Sequence, residues 1–124
     1  MFEASEFGGS SKLLWTNTGS LTTFPSQDVT LNSNDYDLLL IVFTSVNSAD
    51  VSTIIRKGKY GHLETIGVGS TQTVLRVREV DYVNATKLKF GSGYKITLAP
   101  SSSISARTQD DAMCIPMAIY GIKL

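Results

Sequence analysis

The stretch Ile115-Pro-Met-Ala-Ile-Tyr-Gly-Ile-Lys-Leu124 constrains this chain more than any other. It is apolar on both of its period-2 faces. Ile115, Met117 and Ile119 share one side, and Ala118, Tyr120 and Ile122 share the other. A segment at a chain end is ordinarily frayed and polar. One this apolar is expected to be a strand locked into a sheet and covered on both faces. The expected covers are a sandwich core on one side and a neighbouring subunit on the other.

The remaining sequence points to the same class of fold. No window carries convincing i, i+3, i+4, i+7 apolar spacing. Threonine, valine, isoleucine and aromatic residues dominate the ordered runs, as strands prefer. Residues 1–11, ending in Gly8-Gly-Ser-Ser11, read as a flexible lead-in. Residues 12–124 read as a single domain. Expected strands are Lys12–Thr16, Asp28–Leu31, Tyr36–Val46, Thr73–Val80 and Cys114–Lys123. Val51–Lys57 and His62–Val68 are expected to form a hairpin around Gly58-Lys-Tyr-Gly61. Lys87–Phe90 and Tyr94–Leu98 are expected to form another across Gly91-Ser-Gly93. In Thr73–Val80, Leu75 and Val77 are expected to face inward, with Arg76 and Arg78 outward. The result is an all-β, antiparallel β-sandwich, jelly-roll-like, of about eight or nine short strands.

Composition excludes several functions. A chain of 124 residues buries roughly 65–70% of its unfolded surface, enough for one core without metal or disulfide. Eleven basic and 11 acidic residues balance, which argues against a nucleic-acid binder and removes net repulsion between copies. The single Cys114 rules out an internal disulfide and a cysteine metal site. No apolar run reaches membrane-spanning length, and Met1-Phe-Glu-Ala-Ser-Glu-Phe7 is no signal peptide, so neither membrane insertion nor Sec export is expected.

Chemistry-bearing residues are sparse. His62 is the only histidine, and an ordinary surface or turn role is favoured for it over a triad or metal site. Cys114, at the start of an apolar strand, reads as a buried structural thiol. Asp110-Asp111, with Asp35 and Asp37, lack the spacing of a calcium loop. Glu64, Glu79 and Asp81 are candidates for a glycosidase carboxylate pair, with nothing to place any two opposite each other. The glycines form no phosphate-binding pattern. Arg76, Arg78, Lys87 and Lys89 read equally well as a small basic face or as ordinary solvent-facing positions of two strands. Trp15 is better assigned to packing than to stacking on a sugar. No cofactor and no catalytic residue is expected.

Four segments, in order, carry a resemblance: Leu14-Trp-Thr-Asn17; Phe24 with Val29-Thr-Leu31; Asn34-Asp-Tyr-Asp-Leu-Leu-Leu-Ile-Val-Phe43; and Cys114-Ile-Pro-Met-Ala-Ile-Tyr-Gly-Ile-Lys123. Together they resemble the small C-terminal domains of phage and prophage tail fibres and receptor-binding proteins of gut bacteria, over almost the whole chain. The resemblance implies a non-enzymatic virion module, often trimeric, assembled in the bacterial cytoplasm alongside other tail proteins. Its expected function is attachment to a surface glycan or protein. The alternatives are a purely structural fibre cap or trimerisation knob, and a bacterial carbohydrate-binding module. Binding is expected from loops at one end of the sandwich, namely Asn47–Asp50, Lys57–His62 and Ser101–Asp111. The candidate ligand residues are Tyr60, His62, Asp110 and Asp111. The second faces of Leu38–Phe43 and Ile115–Ile122 are expected to lie against another subunit, in a homotrimer, or under a long loop.

Overall fold

A computed structural model describes residues 10–44, 50–98 and 107–124, and none of these residues is helical. Nine strands follow one another: β1 (Ser10–Thr16), β2 (Gln27–Thr30), β3 (Leu38–Thr44), β4 (Asp50–Arg56), β5 (Tyr60–Val68), β6 (Thr73–Asn84), β7 (Lys87–Leu98), β8 (Thr108–Gln109) and β9 (Pro116–Lys123). They form an antiparallel β-sandwich. The first sheet has the order β1-β9-β3-β4. The second has the order β2-β7-β6-β5, and β8 adds to the C-terminal half of β7 beside β2.

The apolar C-terminal stretch is interior to its sheet, as its pattern required. Ile119 lies opposite Ile41 of β3 on one side and Trp15 of β1 on the other. Alternation sends Leu39, Ile41, Phe43 and Ile119 into the core, against Leu63, Val80, Leu88 and Phe90 of the second sheet. Burying each such side chain contributes roughly 1.5–3 kcal/mol. Phe24 sits between the layers, its ring edge-on to Phe90 at 5.8 Å and to Trp15 at 6.4 Å. Trp15 packs against this core, which favours its structural role. The Asp37 N–H donates to the Ile122 carbonyl at 2.8 Å, and Asp37 Oδ2 accepts from the Leu124 N–H at 2.9 Å. The Tyr-Asp segment thus pins the end of β9.

Several expectations are corrected. β4 and β5 are not a hairpin, because β4 pairs with β3 and β5 with β6. The turn between them, closed by Lys59 N–H to Arg56 C=O at 3.2 Å with Gly58 at φ 76°, carries the chain from one sheet to the other. Tyr60 and Gly61 belong to β5, not to a loop. Lys87–Leu98 is one strand. Gly91-Ser-Gly93 form a bulge where the register shifts between Arg78↔Gly93 and Val80↔Phe90. A bulge needs glycine for close approach as a turn does for φ, so the residue type alone did not separate the two. In β6 the facing is inverted: Arg78 is 0% exposed and shares the core side with Val80, while Leu75 and Val77 point outward, half-buried.

The second face of the first sheet is partly closed within the chain. Leu40 is 4% and Ile122 0% exposed, and the flanking Leu13 and Ile54 stay about half open. Leu38, Val42, Ala118 and Tyr120 on the same face are partly exposed. The candidate loops Asn47–Asp50 and Ser101–Asp111 fall partly outside the described residues, at 47–49 and 101–106, as do the first nine residues of the lead-in.

Candidate functional site

The strongest local organisation surrounds Arg78. Its Nε donates to the carbonyls of Cys114 at 3.0 Å and Met113 at 3.3 Å. One terminal nitrogen donates to Phe24 at 2.7 Å and Gly91 at 2.6 Å, the other to Met113 at 2.9 Å and Asp111 at 3.1 Å. The guanidinium also lies over the Phe24 ring, 5.3 Å from its centroid. Burial lowers its pKa from the ordinary arginine value, and the nearby Asp111 opposes that shift. Arginine keeps its charge even so. Five carbonyl oxygens from three stretches of chain satisfy a cation inside the sandwich.

This clamp accounts for Asp110 and Asp111. Asp111 Oδ1 accepts the Gly93 N–H at 3.1 Å, and Asp110 Oδ1 accepts the Ala112 N–H at 3.0 Å. Backbone bonds Asp110 N–H to Gly93 C=O at 2.8 Å and Phe24 N–H to Asp111 C=O at 2.9 Å complete the turn. A Cβ at Gly93 would collide with the Asp110 carbonyl oxygen, so only glycine lets this turn lie against β7. Both carboxylates hold backbone N–H groups at this turn. Cys114 follows, buried and at φ 51°. Burial pushes its thiol up to about 11, against the pull of Arg78, so it is a protonated structural group as expected.

Directly above Arg78 opens a cleft of about 440 Å³. His62 of β5 and Glu79 of β6 are register partners on one side. Ser92 of the bulge and Ser26, just ahead of β2, add hydroxyls. Tyr94 of β7 forms another wall, with the Arg107 guanidinium stacked over its ring at 4.1 Å from the centroid. Tyr60 is 72% exposed and stands edge-on to His62 at 6.1 Å, over a shallower hollow shared with Glu79 and Asp81. The structure therefore brings Tyr60 and His62 together, while Asp110 and Asp111 are not among the residues that line this cleft.

Tyr94, Arg107 and Ser92 were not anticipated. Strict alternation from the inward Leu88 and Phe90 would have placed Tyr94 inward; the bulge at Gly91–Gly93 reverses its side, and the hairpin reading hid that bulge. Arg107 gives no sequence signal, because the strand that carries its neighbours is two residues long. A second cleft of about 400 Å³ runs beside Trp15, Asn17 and Gln27. Among the described residues, no three His, Cys, Asp or Glu side chains gather as a metal set. Asp37 is engaged at Leu124, and Arg76 Nε is buried without a partner. Glu79 is the sole carboxylate lining the larger cleft. In comparisons with known proteins, no family model, no curated protein and no solved structure matches the chain.

Proposed function

We propose that the chain is a non-enzymatic receptor-binding module of a phage tail that holds a bacterial surface glycan in the cleft above Arg78. The observation that carries the binding reading is the Arg107–Tyr94 stack facing His62 and Glu79 across a polar hollow. A stacked tyrosine offers a flat amphipathic face for a sugar ring. Serine hydroxyls, an imidazole, a carboxylate and a guanidinium supply donors and acceptors for its hydroxyls. A single lining carboxylate favours binding over glycoside hydrolysis, which ordinarily uses two. The virion assignment is supported by the resemblance of the Tyr36-Asp37 strand and the Ile115–Lys123 ending to tail domains.

The test is binding to a glycan array and to enteric host cells. Tyr94→Ala should retain its far-UV spectrum and lose about ten-fold or more in affinity, the value of one well-made stacking contact. Equal binding by parent and variant would move the site elsewhere, to the cleft beside Trp15 first. A parent that binds neither glycans nor cells would favour the structural cap.

A further inference from the structure

Among the described residues β5 pairs with one neighbour only, β6, and so forms an edge of the second sheet. Soluble sheets ordinarily blunt their edges with bulges, lysine, proline or brevity. The other edges do so here. β1 shifts register between Leu13 and Trp15 and carries Lys12; β2 and β8 have four and two residues; β4 ends on the exposed charge of Arg56. β5 has no bulge, lysine or proline and is nine residues long; its single charge is Glu64. Its nine pairs with β6 run from Tyr60↔Asp81 to Val68↔Thr73 without a shift. Its outward residues end in Ile66 and Val68, 66% and 81% exposed, beside the half-buried Leu75 and Ile96.

We propose that β5 pairs antiparallel with β5 of a second copy about a two-fold axis at Leu63, joining two second sheets into one. The sequence of the strand is self-complementary in that register. His62 falls opposite the partner's Glu64, and Tyr60 opposite the partner's Ile66, each pair occurring twice by symmetry. The imidazole N–H donates to the carboxylate, and the tyrosine ring covers an isoleucine that is open in the single chain. Shifting the axis by one residue destroys the match, because it sets Glu64 against the partner's Glu64 or His62 against the partner's His62. With 11 basic and 11 acidic residues, no net charge opposes the encounter. This pairing does not rest on the glycan reading.

Light scattering of the full chain up to about 100 µM should report a dimer. Ile66→Lys places an edge-blocking charge at an exposed position, so it should keep the fold and weaken self-association by about ten-fold or more. Carrying both His62→Cys and Glu64→Cys, the chain should cross-link on oxidation, with Cys114 silent because it is buried. Glu64→Cys alone should not, since those positions lie diagonally apart. A monomer, a trimer, unchanged association in Ile66→Lys, or equal cross-linking by Glu64→Cys alone would each overturn the proposal. Glycan binding is followed separately through Tyr94→Ala, so one proposal can fail without the other.

Discussion

The two sheets use the same alternation to opposite ends. In the first, Leu39, Ile41, Phe43 and Ile119 turn inward and carbon fills the core. In the second, β6 turns Arg78 inward beside Val80 and leaves Leu75 and Val77 outside. Alternation states which residues share a face. Which face is inward depends on what can be satisfied there. A buried guanidinium without acceptors costs several kcal/mol in desolvation. Here carbonyls from Phe24, Gly91, Asp111, Met113 and Cys114, together with an aromatic ring, replace its water.

The largest effect should come from breaking that clamp. Arg78→Leu restores the ordinary pattern but strands five carbonyls, and should lower unfolding free energy by about 4 kcal/mol. Ile41→Val, in the conventionally filled sheet, should lose only about 1 kcal/mol. If urea melts give the two variants similar losses, the arginine does not organise the interior and the contrast between the sheets fails.

A smaller effect sharpens the comparison at the junction of the clamp with β9. Cys114 is raised in the folded state, from 9.0 to about 11. Both states are protonated below pH 9, and the term is then silent. As pH rises from 9 towards 11 the unfolded thiol ionises first, so stability falls, by about 2–3 kcal/mol at most. Cys114→Ala should remove this loss, and its stability should change less over that window than the parent's. The smallest effect is expected on the outer face of the second sheet. At concentrations where the chain is monomeric, Ile66→Thr should change unfolding free energy by no more than about 0.5 kcal/mol. A loss as large as a core truncation would mean that this face is already covered within one chain.

The fold class and the interior place of the C-terminal strand were legible, because runs such as Leu38–Phe43 and Ile115–Ile122 carry their burial in their own composition. Sheet membership was less so. Gly58 and Gly93 look alike in sequence, yet one turns the chain between layers at φ 76° and the other makes room for Asp110. Arg78 was unreadable because its partners are main-chain carbonyls, which every residue has. The site was half visible. His62 lines the cleft and Tyr60 stands against it over the neighbouring hollow, but Asp110 and Asp111 went to the turn that closes over Arg78. Tyr94 and Arg107 meet only through β8, too short to announce itself.

β9 comes last in chain order among the described strands, yet it lies between β1 and β3. During synthesis, β1 has no partner in its sheet until residues about 100 positions later have emerged, and β3 has only β4. The same late segment brings the Met113 and Cys114 carbonyls to Arg78. Assembly on the ribosome therefore has no stable half-way stage for the first sheet. The chain waits as open strands and closes late, through contacts of long sequence separation, which are the slow kind. A product cut short before Pro116 would keep two apolar strand edges bare and a cation without its acceptors, the kind of molecule that quality-control proteases remove first.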